Sequence, residues 1–169
     1  GEQRLTLFQP LDPAGTLVGE TAVTDIADKG AGKSALVRAV KTLRTLSGTL
    51  VAEATETWVL RGAGGFGGAR ALPGEVLPLL PDRAPDLIMT LPTSVTQAAI
   101  YRLSGDRNPL HIDADTANRA GFSRPILHGL STLGVAARAI IHALCNGNSA
   151  RLTELSARFT APLYPGAVL

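Results

Sequence analysis

Tyr101-Arg102-Leu103-Ser104-Gly105-Asp106-Arg107-Asn108-Pro109-Leu110-His111 is the stretch from which this chain is read most directly. Asp106, Asn108 and His111 put a carboxylate, a carboxamide and an imidazole on one short loop, and Pro109 stiffens it. A carboxylate and a histidine this close can hold one water between them. One group takes a proton from the water while the other delivers a proton to a substrate, and Asn108 orients the water or the carboxylate. A plainer reading stands beside this one. Turns are rich in Asp and Asn, so Asp106 would cap the next helix and His111 would be a surface residue.

The second informative block is Arg124-Pro125-Ile126-Leu127-His128-Gly129-Leu130. Apolar positions Leu130, Leu133, Ala137, Ile141 and Leu144 then recur at helical spacing, and Ala136, Ala139 and Ile140 widen the apolar surface, so Gly129 to Cys145 reads as a helix lying inside something. Gly129 falls where that helix begins. A free backbone N–H there carries the positive end of the helix dipole and suits a developing oxyanion. The alternative is a tight turn into the helix that needs glycine for space. His128 beside it is read as structural.

Upstream of these blocks the pattern changes. Arg4 to Phe8, Thr16 to Ile26, Ser34 to Leu46 and Thr49 to Leu60 read as strands, with Ser47-Gly48 as a turn. Short turns between sequential strands predict an antiparallel meander. Glycines at 62, 64, 65, 67 and 68 and prolines at 73, 78, 81, 85 and 92 mark an irregular linker. After it, Thr93 is a plausible N-cap for a helix from Gln97 to Leu103, with Gly105 as C-cap. Asp113 to Ala120 forms a short helix, Leu152 to Thr160 a strand, and Pro162 to Gly166 a turn. The domains expected are 1–69, a linker at 70–92, and 93–169.

Two nucleotide-like motifs fail on context. Gly62-Ala63-Gly64-Gly65-Phe66-Gly67 fits a dinucleotide fingerprint, but prolines follow where a helix must begin. It reads as a flexible glycine loop. Gly32-Lys33-Ser34 resembles the tail of a P-loop, yet Ala27 stands where the first glycine belongs. A hairpin turn at Lys29-Gly30-Ala31-Gly32 is the better reading. Lys29 and Lys33 can still meet a ligand phosphate from that turn.

The 101–111 block resembles the signature of the MaoC-like, R-specific (type 2) enoyl-CoA hydratases. Pro125 to Leu130 is similar to that family's second block, and Arg158-Phe159 with Tyr164-Pro165-Gly166 to its third. Asp28-Lys29-Gly30 and Gly64-Gly65-Phe66-Gly67-Gly68 resemble the amino-terminal part of two-unit members. The resemblance implies an α+β double hotdog fold, in which antiparallel sheets wrap long helices. It implies a non-catalytic, partial first unit that shapes the acyl pocket, and a catalytic, truncated second unit. The chain is then expected to be incomplete at both ends. Asp106 and His111 would activate water, Asn108 would hold the arrangement, and the Gly129 N–H would polarise the thioester carbonyl. Lys29 and Phe159 match positions that contact the CoA thioester, and Arg107, Pro109 and Leu110 complete the expected substrate contacts. Water would add reversibly to a trans-2-enoyl-CoA to give a (3R)-3-hydroxyacyl-CoA. A homodimer, or a pseudo-dimer of the two units, is implied as well.

Composition narrows the partners. Of the 169 residues, 45% are hydrophobic and 18% charged, so a sizeable core can form, filled by Leu, Val, Ile and Ala because aromatics are only 4%. A formal charge of +2 is too weak for a nucleic-acid footprint. Cys145 is the single cysteine, which rules out an internal disulfide and a zinc cluster and reads as a buried, inert thiol in a reducing cytoplasm. Leu133 to Cys145 is too short and polar to span a bilayer, and the first residues do not read as a signal peptide. The expected partner is an acyl-CoA, or the same acyl group on an acyl carrier protein. No metal or cofactor is expected, the CoA thioester being substrate. The competing functions are a non-catalytic acyl-thioester-binding subunit and a thioesterase on the same fold.

Overall fold

The computed structural model describes residues 1–74 and 81–169; Pro78 of the linker lies outside them. The chain divides into two compact units, Gly1–Asp82 with Ala150–Arg158, and Arg83–Ser149 with Phe159–Leu169.

The first unit is a five-stranded antiparallel sheet: β1 (Glu2–Leu7), β2 (Leu17–Asp28), β3 (Ala35–Thr45), β4 (Leu50–Leu60) and β5 (Glu154–Arg158). Val, Thr and Ile enrich β2, β3 and β4, and each of the five strands lies within a residue or two of the expected bounds, β5 being the shortest. Tight turns connect β2 to β3 and β3 to β4. Lys33 N–H donates to the Gly30 carbonyl at 2.9 Å, and Gly48 N–H to the Thr45 carbonyl at 2.9 Å.

The strand order is β2-β3-β4-β1-β5, so the simple meander holds only for β2 to β4. β1 pairs with β4 and, on its other edge, with β5. Residues 8–16 carry Pro10, Pro13 and Gly15. They form a loop long enough to cross the sheet, where a two-residue turn would have forced β1 against β2.

Charges help set the register. Asp25, Arg38, Thr57, Glu2 and Arg158 line one row across all five strands. Within and beside it, Arg158 pairs with Glu2 at 2.6 Å, Arg38 with Asp25 at 3.6 Å and Arg4 with Glu154 at 3.1 Å. A register slip of one residue would turn these side chains to the opposite face. The fully buried apolar residues of this unit are small: Ala27, Ala35, Ala39, Val51 and Ala52. Of the Leu, Val, Ile and Ala expected to fill the core, it is Ala and one Val that are fully buried here.

The second unit holds α1 (Gln97–Tyr101), α2 (Ala114–Arg119) and α3 (Gly129–Leu144). Asp113 caps α2 by accepting from Thr116 N–H at 2.6 Å. Thr93 does not cap α1. The N-cap position falls at Thr96, which makes no side-chain cap bond. Thr93 is buried, and its hydroxyl donates to the Ala167 carbonyl at 2.7 Å and accepts from Gly166 N–H at 3.1 Å. It is drawn into a short antiparallel pairing of residues 91–93 with 167–169. That pairing uses the turn expected at 162–166.

α3 begins and ends where its periodicity predicts. Ser131 is its one fully buried residue, and Leu130 and Leu144 are exposed. Cys145, just past its end, is buried and unpaired. Among the described residues no helix is long and apolar enough to cross a membrane.

Candidate active site

The helix that opens the second unit ends by design of its sequence. α1 tightens into a 3-10 turn over Arg102–Ser104 and stops at Gly105, whose φ of +113° is a left-handed conformation that glycine adopts without steric cost. Asp106 Oδ1 then accepts from Asn108 N–H at 3.1 Å. Asn108 Oδ1 accepts from Leu110 N–H at 3.0 Å and caps a second 3-10 turn, Pro109–His111, with Pro109 at its first position. The Arg102 guanidinium donates to the carbonyl of Arg107 at 2.8 Å. Helix capping is thus done by Asn108 and Asp113. Asp106 remains exposed and caps no helix.

His111 is half-buried, and its Nδ1 lies 2.8 Å from the carbonyl oxygen of Ile126. A carbonyl only accepts, so Nδ1 carries the proton and Nε2 is left as a basic nitrogen. A ring nitrogen of His111 lies within 4.8 Å of a carboxylate oxygen of Asp106. Two hydrogen bonds of about 2.8 Å meeting at a water oxygen span roughly 4.6 Å. That limit leaves room for one water between the two groups.

His128 was read as a structural residue, and Tyr101 was given no role beyond its place in the motif. Both belong to this cluster. His128 is fully buried, with 1% of its surface exposed. Its ring stacks on His111 with centroids 3.7 Å apart and planes 28° apart, and Tyr101 tilts against it at 4.7 Å. His128 Nε2 lies 3.2 Å from the Asp106 carbonyl oxygen, while its Nδ1 has no hydrogen-bond partner among the described residues. An unsatisfied buried acceptor costs about 1–3 kcal/mol. Burial, and after it His111, holds the His128 pKa below the ordinary imidazole value. Burial and then Asp106 push the Tyr101 phenol up. The signal available in sequence was adjacency: His128 sits next to Gly129, and Tyr101 opens the quoted block.

Asp106, His111 and His128 are also a set that could hold a metal ion. A divalent ion needs lone pairs that converge. One nitrogen on each ring already faces a backbone carbonyl, which leaves one on each for such an ion.

Gly129 supplies the first amide of α3, where a helix offers no internal acceptor. A Cβ there would lie 3.4 Å from the Phe159 ring, so Phe159 packs directly over the start of the helix. Of the remaining expected contacts, Leu110 is half-buried, while Arg107 and Pro109 are exposed on the loop.

In the first unit, Lys29 follows a buried carboxylate. Asp28 Oδ1 accepts from Gly30 N–H and Gly65 N–H, both at 2.7 Å, and Oδ2 accepts from Gly67 N–H at 2.6 Å. The glycine run expected to be a flexible loop is thus pinned at two of its amides. A Cβ on Gly64 would meet the Gly30 oxygen at 2.4 Å, so this approach excludes any side chain. Lys29 Nζ donates to the Arg70 carbonyl at 2.9 Å.

The chain matches two family models, the MaoC like domain over residues 78–169 and the MFE-2 hydratase 2 N-terminal domain over residues 1–62. It belongs to the MaoC-like domain family. It is 52% identical to 3-hydroxyacyl-thioester dehydratase Y of Mycobacterium tuberculosis, covering 100% of this chain and 59% of that protein. A MaoC-like dehydratase structure from Phytophthora capsici has a TM-score of 0.87 at 42% identity, covering 99% of this chain and 58% of that one. A further Mycobacterium tuberculosis structure, described as a double hotdog, has a TM-score of 0.62 at 16% identity over 99% of this chain and 59% of its own. That likeness concerns fold alone. The fold is the hotdog fold in its two-unit form, and the chain spans less than two thirds of these proteins.

The Asp28 clasp gives a pH-dependent expectation. The amide of Gly65, and next that of Gly30, holds the Asp28 carboxyl below its ordinary value of 3.8. Its stabilising contribution is complete above that value and is lost as pH falls through the lower folded value. Asp28→Asn keeps the shape but offers one oxygen to three donors. In the full-length protein, thermal melts at neutral pH should show a lower Tm for the variant. The gap from wild type should close in acid, below about pH 4. Equal melting temperatures at pH 7 would show that the clasp carries no stability.

Proposed function

We propose that this chain carries the active site of an R-specific enoyl-CoA hydratase. The observation that carries this reading is the separation of the Asp106 carboxylate from a His111 ring nitrogen, at most 4.8 Å. That distance fits one water held by both groups. Water adds across the C2=C3 double bond of a trans-2-enoyl thioester, its oxygen to C3 and a proton to C2, giving the (3R)-3-hydroxyacyl product. One of the pair accepts the proton leaving the water, and the other supplies the proton arriving at C2. The reverse sequence is the dehydration. The Gly129 N–H, at the positive end of α3, stabilises the enolate oxygen that forms on the thioester carbonyl. Asn108 holds the loop through its cap on the Pro109–His111 turn.

Phe159, Arg107, Pro109 and Leu110 serve as substrate contacts around this centre. Lys29 binds the CoA phosphates. No metal or further cofactor takes part, the CoA thioester being substrate; an acyl carrier protein is a second source of the same thioester. We assign a homodimer, or a pseudo-dimer of hotdog units, because hotdog sheets present edges that join. A full-length protein sedimenting as an isolated single unit would contradict this. The buried Cys145 thiol fits a reducing compartment, and we assign the cytoplasm. A mouse relative is named as peroxisomal, so fractionation of the native protein to that organelle is the contrary result.

The direct test is hydration of crotonyl-CoA by the full-length protein, followed by loss of enoyl-thioester absorbance, beside an assay for free thiol. Hydration without thiol release is expected. Thiol release without hydration would make the protein a thioesterase, and silence in both assays a binding subunit. Asp106→Asn and His111→Gln should each lower kcat by about 10²–10⁴-fold, the usual worth of a positioned acid or base.

Lys29→Ala should raise KM for CoA substrates and leave kcat nearly unchanged, because a phosphate contact is equal in the ground and transition states. The effect should shrink at high salt, as for any exposed point-charge contact, and vanish with a thioester that lacks the nucleotide. A fall in kcat at constant KM would assign Lys29 to the support of the fold.

A further inference from the structure

The cluster contains one buried histidine that the reaction does not use. We propose that His128 is a positioning residue for the Asp106/His111 pair: its Nε2–H tethers the main chain of Asp106 while its ring backs the His111 imidazole. The inference rests on the reading of Asp106 and His111 given above.

The geometry is specific. His128 Nε2 faces the Asp106 carbonyl at 3.2 Å, which requires Nε2 to carry a proton. The ring lies flat against His111 at 3.7 Å. One side chain at the head of α3 therefore touches both halves of the acid–base pair, one through its backbone and the other through its ring. Tyr101 covers His128 at 4.7 Å, so the ring cannot withdraw from His111 without displacing α1.

The same geometry makes His128 a poor proton carrier. With Nε2 donating, a second proton would sit on Nδ1, which is buried and has no acceptor among the described residues. The groups facing the ring are Tyr101 from α1, Arg102 from the following 3-10 turn, Asp106 from the loop and His111 from the second 3-10 turn. Of these only Asp106 favours a cation, while burial, His111 and Arg102 oppose it. His128 stays neutral, holding its partners and exchanging no proton with substrate.

The test uses the full-length protein and crotonyl-CoA. His128→Phe keeps a flat ring and loses the donor; His128→Gln keeps an N–H donor and loses the ring. Each should lower kcat by roughly 10- to 100-fold, the effect of small misplacement of reacting groups, with KM unchanged. His128→Ala, which loses both contacts, should be worse than either. The kcat–pH profile of His128→Gln, scaled to its own maximum, should keep the shape of the wild-type profile. Wild-type kcat in both the Phe and Gln variants would overturn the inference. A displaced limb in the Gln profile would also overturn it, by making His128 a proton carrier. Nitrogen-15 NMR of the wild-type ring needs no variant: a neutral Nε2–H tautomer is expected at pH 7, and an imidazolium there contradicts the inference. His111→Gln is run in parallel. If it retains full activity, the reading of the site has failed on its own and this inference falls with it. If it is inactive while the His128 variants are normal, only the inference fails.

Discussion

The hydrogen bond between His111 Nδ1 and the Ile126 carbonyl, 2.8 Å long, determines what the second unit can do. It selects the tautomer, and so leaves Nε2 as a basic nitrogen. It also joins the loop after α1 to the segment that leads into α3. It is thus one of the links that relate the Asp106 loop to the Gly129 amide. The His128–Asp106 contact repeats the connection in the opposite direction, from the head of α3 back to the loop. Two side-chain-to-carbonyl bonds and a ring stack thus organise a site on a segment with little regular structure. Such a loop needs this support, because short 3-10 turns contribute little rigidity of their own.

The first unit applies a similar device to a different end. Asp28 collects three amides, from Gly30, Gly65 and Gly67, and so fixes the turn that displays Lys29. A buried carboxylate is tolerated there because charge-assisted bonds replace its lost hydration. In both units a polar side chain binds backbone that the sequence alone leaves irregular. Among the described residues, the fully buried apolar set is rich in alanine.

Much of this was legible in the sequence, for a physical reason. Strand alternation, the Ser47-Gly48 turn, the Gly105 stop and the α3 periodicity are local properties, set within a few residues. Asp106, Asn108 and His111 lie on one loop, so their proximity could be read directly. What could not be read depends on partners distant in the chain. β1 pairs with β4 and β5 because of where the loop at 8–16 goes, and no pattern within β1 encodes that. Thr93 looked like a cap, but it is claimed by Gly166 and Ala167. The glycine run at 62–68 looked free because the carboxylate that pins it lies far upstream. The partners of His128 could not be read because the ring it stacks on and the carbonyl it holds both come from the earlier block.

The central claim is that Asp106 and His111 act on one and the same water. A double-mutant cycle in kcat measures this most directly. If the water is shared, losing either partner disables it, and Asp106→Asn/His111→Gln in the full-length protein should be little slower than the worse single variant. A double variant slowed by the full product of the two single effects would mean that the two groups act independently, and would contradict the account.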